Sequence, residues 1–196
     1  MKIKIWAVSV LILCGLNTTY AQGIKEKEFL TWFFTKRIKA KESILYVPAY
    51  WHNGISEIKE SLNGDTVYNK VGVIGKDDKL NGLVLSKKER KFVDRKIEEL
   101  RKQSLPDRLL PNARRISQDT IDYYLADRGY GWYKLYEKKI HGYYSLTKPI
   151  FLRKNTICIF TYGYSCGYLC GNGGTSVYRL EKGEWKEWIF LSYWIS

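Results

Sequence analysis

"TICIFTYGYSCGYLCGNGGTSVYRLEKGEWKEWIFLSYWIS", Thr156 to Ser196, decides the fold. Thr156–Tyr164, Thr175–Leu180 and Trp185–Trp194 are rich in aromatic and β-branched residues and read as strands, as does Tyr144–Leu152 just before them. Lys154-Asn155 and Lys182-Gly183 stand where tight hairpin turns belong. The one long connection is "YSCGYLCGNGG", Tyr164 to Gly174. The expectation is a four-stranded antiparallel meander over 144–196, with that cysteine- and glycine-rich loop projecting from it as a tip.

Upstream the periodicity changes. In "LSKKERKFVDRKIEELRKQ", Ser86 and Glu89 form a capping box, Val93, Ile97 and Leu100 make a buried stripe widened by Phe92, and Pro106 stops the helix. Glu26–Lys41 reads as an amphipathic helix, with Phe29, Trp32 and Phe33 on its apolar side. Gln118–Ala126, capped by Ser117, and Trp132–Ile140 read as shorter helices. Leu105–Ser117, with two prolines, reads as a loop. Ser43–Tyr50 is β-prone, but Pro48 argues for an edge strand or an irregular end. Thr66–Ile74 and Leu83–Leu85 read as strands around a hairpin loop, "GKDDKLNG". The fold class expected is α+β, with helices packed on the C-terminal meander.

The N-terminus sets the compartment. Two lysines, the apolar run Ile5–Leu16 and the polar "NTTYAQ" follow the order of a secretory signal, with cleavage expected after Ala21. The run is too short to span a bilayer, which takes about 20 apolar residues. Leu13 before Cys14 speaks against lipidation. Residues 22–196 then form one exported domain, periplasmic or extracellular, large enough to bury a core. The chain carries 33 Lys and Arg against 20 Asp and Glu, and losing Lys2 and Lys4 leaves +11. Outside the cytosol such a balance suits an anionic glycan, a lipid surface or an acidic protein rather than nucleic acid.

Cys158, Cys166 and Cys170 remain after cleavage, in an oxidising space. Bridging Cys166 to Cys170 stabilises by about 2 kcal/mol on the chain-entropy model, and bridging Cys158 to Cys170 by about 3 kcal/mol. The values are too close to choose. Cys158 alternates with Phe160 and Tyr162 on one strand face, a buried place where a free thiol packs as a small hydrophobe. The favoured pairing is therefore Cys166–Cys170, with a Cys158 bridge or three reduced thiols as alternatives. A zinc site needs four ligands, and only His52, His141 and Cys158 could complete a first pair, so no metal or other cofactor is expected. A cysteine nucleophile needs a base, for which His141 is the candidate, and oxyanion donors, for which "CGNGG" offers amides. Glu181, Glu184 and Glu187 sit near one hairpin but read as solvated acids.

Four motifs carry a resemblance: Thr147–Phe151, the Cys-Gly-x-Leu-Cys-Gly run Cys166–Gly171, Gly183–Trp185, and the terminal Trp194–Ser196. Together they resemble the C-terminal region of a group of small, exported, uncharacterised bacterial proteins. The likeness covers about the last third of the chain and implies export and fold, not an activity. Seven Trp and sixteen Tyr suit sugar or protein recognition, and Tyr162, Tyr164, Tyr168 and Tyr178 are expected around the loop. The reading is a non-catalytic envelope binding module, with the stapled loop and Tyr164, Tyr168, Asn172 and Thr175 as its contact surface. A cysteine- or carboxylate-dependent hydrolase of envelope material, and an inhibitor of an acidic partner, are the alternatives.

Overall fold

The computed structural model describes residues 23–39, 43–48, 58–64, 66–69, 82–102 and 105–196. The expected leader Met1–Ala21 with Cys14, His52, most of Thr66–Ile74 and nearly all of "GKDDKLNG" lie outside them. The chain divides into two compact units, Met1–Ala40 and Lys41–Ser196.

The first unit contributes one helix, α1 (23–37). Its last turn, Phe33–Arg37, is a π-turn closed by Ile38 N–H on the Phe33 carbonyl at 2.9 Å. Phe29, Leu30, Phe33 and Phe34 are buried, and Phe29 stacks on Phe33 with centroids 6.3 Å apart. Lys39 adopts a left-handed φ of 56°, so the helix ends before the expected Lys41.

The second unit is a mixed seven-stranded sheet with helices. Its strands are β1 (Ile44–Pro48), β4 (Ala113–Arg115), β5 (Tyr143–Leu146), β6 (Ile150–Leu152), β7 (Ile157–Gly167), β8 (Cys170–Glu181) and β9 (Glu184–Ile195). The order is β4-β1-β5-β7-β8-β9, with β6 beside β7 as well. A separate pair, β2 (Thr66–Val67) and β3 (Leu83–Val84), is antiparallel.

The consecutive antiparallel strands are present, but three expectations about their surroundings are corrected. The meander is not the whole sheet, because β1 inserts parallel to both β5 and β4. Pro48 does not mark an edge. It closes β1 at a level where β4 has already ended, since β4 pairs only with Ile44–Tyr46, so no ladder bond to β4 is lost there. Leu105–Ser117 is likewise not all loop, for it contains β4.

Tyr144–Leu152, expected as one strand, is broken at 147–149. Pro149 has no N–H to give, and Thr147 bridges the gap: its N–H donates to Thr161 O at 3.1 Å, and its Oγ1 accepts from Thr161 N–H at 3.2 Å.

Helices of the unit among the described residues include a helical turn at 58–61 and α2 (Lys87–Leu100), α3 (Gln118–Leu125) and α4 (Gly131–Glu137). The capping box is reciprocal, with Glu89 N–H on Ser86 Oγ at 3.2 Å and Ser86 N–H on Glu89 Oε2 at 2.9 Å. Arg153, in the β6–β7 turn, pairs with Glu89 at 2.9 Å and donates to Val84 O. Together with Ser86, this pair holds the Glu89 carboxyl down at about 2. Ser117 stands at the N-cap of α3 without a side-chain bond, and α4 ends two residues before Lys139, whose φ of 59° cannot continue a helix.

Both main helical clusters cover one sheet face. Val93, Ile97 and Leu100 of α2 meet Ile150, Leu152, Ile157, Ile159, Val177, Ile189 and Leu191. Ile121, Trp132 and Leu135 of α3 and α4 meet Val47, with Leu45 and Tyr143 at the margin. By strand alternation and register these residues share a face. The opposite face carries Tyr46, Leu146, Cys158, Phe160 and Tyr178, all buried. At about 25 cal/mol per Å², each such large side chain contributes roughly 2 kcal/mol of burial.

Candidate functional site

The expected long loop does not exist. β7 runs to Gly167, β8 starts at Cys170, and only Tyr168-Leu169 turn between them. The glycines that read as a flexible loop lie in strand β8 because a tryptophan lies over them. A Cβ on Gly173 would stand 2.5 Å from Tyr162 O, 2.8 Å from Gly163 Cα and 2.8 Å from Trp194 Cε2; one on Gly171 would meet Trp194 Cζ3 at 3.0 Å. The strands therefore approach closely under the indole, which only glycine permits. The last residue is fastened too, with Ser196 and Gly171 exchanging N–H bonds of 3.0 and 3.2 Å.

Cys166 and Cys170 are bonded, with Cα atoms 5.1 Å apart, and Cys158, outside the disulfide, is fully buried on β7. Cys166 is the extra residue of a bulge between Ser165 and Gly167. The bulge turns its carbonyl toward α4, where Tyr136 OH donates to it at 2.7 Å. Tyr136 stacks on His141 at 5.9 Å and lies 5.9 Å from Trp132, which stacks on Tyr143 at 6.0 Å. Burial pushes the Tyr143 hydroxyl up. The hairpin end is thus clamped by a covalent bond, a helix and the terminal strand.

On the opposite face the register sets two rows across the sheet. Tyr144, Tyr164, Asn172 and Ile195 form one row; Leu146, Tyr162, Gly174 and Tyr193 form the next. On β8 these rows hold Asn172 and the buried Gly174, where a Cβ would stand 2.1 Å from Ser192 O, so the backbone of β9 closes over that position. Tyr162 OH donates to Asn172 Oδ1 at 3.3 Å, and Tyr144 lies 4.7 Å from Tyr164. Burial, reinforced by Tyr164 and Tyr162, pushes the Tyr144 hydroxyl up to about 12, so it remains a neutral donor at any physiological pH.

Of the expected contact residues, Tyr168 is 50 % exposed and Tyr164 and Asn172 are half-buried. Thr175 is not on the surface. It is 2 % exposed, and its hydroxyl meets that of Thr161 at 2.8 Å. Tyr162 and Tyr178 are buried as well, Tyr178 deep in the sheet with its hydroxyl toward Glu187. Leu169, 89 % exposed, lies inside the loop expected as the contact surface, whereas sequence reading passed over Tyr193, 48 %, and Ile195, 72 %. A signal for them exists: no Asp, Glu, Lys or Arg occurs from Thr156 to Tyr178 or from Trp188 to Ser196.

The groups weighed for catalysis do not converge. Both loop sulfurs are consumed in the disulfide. Glu181 stands at the far end of β8, about 36 Å from Cys170 at strand rise. There Lys186 and Arg179 hold its carboxyl below the usual range. His141 is exposed and stacks on the ring of Tyr136, which lies between it and the hairpin carbonyl of Cys166. Among the described residues no three His, Cys, Asp or Glu side chains gather as metal ligands, and no helix is long and apolar enough to cross a membrane. No family model, curated protein or solved structure matches the chain.

Proposed function

We propose that this protein is an exported, non-catalytic binding module whose contact surface is the disulfide end of its sheet. One observation carries the reading: Tyr168, Leu169, Tyr193 and Ile195, large and exposed, gather at that end, where the hairpin is held by the disulfide and the Tyr136 hydrogen bond. Scattered apolar residues on a surface are ordinary, whereas a cluster on a rigid frame marks a contact site. Rigidity matters because little ordering entropy is lost on binding. The resemblance of the C-terminal motifs to small exported bacterial proteins, and the disulfide, support the export half of the reading.

Retention of the purified protein on isolated cell-envelope material tests it. Wild type is expected to be retained, and a Tyr168→Ser/Leu169→Ser variant, altered only in exposed side chains, is expected to be released. Equal retention of the two overturns the surface.

A second reading has its own observation. Lys87, Lys88 and Lys91 are exposed along the first turns of α2, a basic face suited to an acidic partner. Under that reading retention falls with added salt and is unaffected by the hairpin variant.

A further inference from the structure

We infer that the hairpin tip at the disulfide end seats the protein on an anionic lipid surface, as a peripheral contact and not a span. The inference deepens the binding-module reading and rests on it. The tip is the two-residue turn Tyr168-Leu169, and Leu169 is the most exposed large apolar side chain among the described residues. No Asp, Glu, Lys or Arg occurs from Thr156 to Tyr178, so bringing the turn into an apolar medium strips no charge of its water. The backbone is suited to the same medium, because β7 and β8 stay paired up to Gly167 and Cys170.

The residues behind the turn decide the partner. Tyr136 packs at its base, with its hydroxyl on Cys166 O at 2.7 Å and 3.2 Å from where a Cβ on Gly167 would stand. Tyr133 and Tyr130, both exposed, continue from it along α4, with successive ring centroids 6.4 and 6.2 Å apart. On the other side the exposed Ile195 is level with Asn172, three residues behind Leu169, or about 10 Å at strand rise. Beyond α4 stand Lys138 and Lys139, both exposed, beside one acid, Glu137. Lys139 N–H donates to Tyr136 O at 2.8 Å, which keeps this pair of lysines within a turn of the tyrosine. From the body outward the surface therefore runs from cations, through tyrosines with apolar rings and polar tips, to an aliphatic side chain. A lipid leaflet is layered to match: anionic headgroups, an interface where tyrosine settles, then acyl chains. Both elements are needed, since a short apolar insertion alone binds a membrane only marginally. A glycan or an acidic protein would satisfy the lysines and offer Leu169 no apolar depth.

The test is co-sedimentation of the protein, in its exported form, with vesicles of phosphatidylcholine alone or with one-third phosphatidylglycerol, at low and high salt. The expected result is binding to the anionic vesicles that weakens with salt. It should be about tenfold weaker in Leu169→Ser, retained in Leu169→Trp, and about thirtyfold weaker in Lys138→Gln/Lys139→Gln. All three side chains are exposed, so none of these changes threatens folding. Binding that Leu169→Ser leaves untouched is adsorption by charge alone and overturns the inference. So does equal binding to the neutral vesicles, or a loss in Leu169→Trp equal to that in Leu169→Ser. If no vesicle binds while envelope material is still held through Tyr168 and Leu169, the partner is a protein or a glycan: the lipid surface falls and the binding module stands. If both fail, both fall.

Discussion

The ribbon β7–β8–β9 is built in opposite ways at its two ends. At the β8–β9 turn, Lys182 and Gly183 take left-handed φ of 51° and 84°, and Arg179, Glu181 and Lys186 form ion pairs around them. Arg179 also lies over the Trp188 ring at 4.5 Å. The nearby β6–β7 turn adds Arg153 on Glu89. At the disulfide end the three strands carry no charged side chain; a covalent bond, an indole over glycines and a helix tyrosine hold them instead. Exposed ion pairs are screened and contribute little, whereas close packing and a bridge hold a fixed shape. The difference teaches that one end of the ribbon is closed by screened ion pairs and the other by covalent and packing constraints that need no charge.

Changes at matched positions sharpen that contrast. The largest effect is expected for Gly173→Val, whose added carbons would meet Tyr162 O, Gly163 Cα and the Trp194 ring. It should cost about 3 kcal/mol in chemical denaturation. Gly183→Ala at the other end, with nothing within 4 Å of its Cβ, should cost only about 1 kcal/mol through its φ of +84°. Equal costs would mean that the indole platform is not what the glycines are for.

Next in size is the double replacement Cys166→Ser/Cys170→Ser, expected to remove about 2 kcal/mol while the far-ultraviolet spectrum keeps its strands. Complete unfolding would show that the hairpin end belongs to the core rather than to the surface.

The smallest effects are at the charged end. Glu89→Gln keeps the capping geometry and loses the Arg153 pair, so its cost should stay under about 1 kcal/mol at neutral pH. The sign follows from a carboxyl held at about 2 in the fold, below its ordinary 4.5. Its stabilisation is complete above 4.5 and fades as pH falls toward 2, so the variant and wild type should converge in acid. Thermal melts from pH 7 down to pH 2 measure this. Glu181→Gln, on an exposed pair, should leave the melting midpoint where it is. A large shift there would break the contrast between the ends.

The meander was legible because period-two patterns and turn residues are local signals, and the capped helix α2 was legible for the same reason. β4 was not, because "ARR" has two exposed arginines and no alternation to detect. Nor was the inner place of β1, since Pro48 signals an edge unless one knows that β4 stops short of it. Gly171, Gly173 and Gly174 read as a loop because their reasons for being glycine, the Trp194 ring over the first two and the Ser192 carbonyl beside the third, lie some twenty residues further on. Within the candidate site the cysteine pairing and Tyr168 came from sequence. Thr175 was misplaced because strand β8 begins five residues earlier than its composition indicates.

The parallel insertion of β1 has a consequence for the order in which the chain assembles and breathes. Contacts among β7, β8 and β9 close over short separations, whereas Ile44–Pro48 must find Ala113–Arg115 and Tyr144–Leu146, roughly 70 and 100 residues along. Distant pairing carries the larger loop-closure entropy and is gained late. In native-state hydrogen exchange the amides of β1 and β4 should therefore open together, at lower free energy than those of β7 and β8. The disulfide-end hairpin would keep its shape even while the other half of the sheet is open.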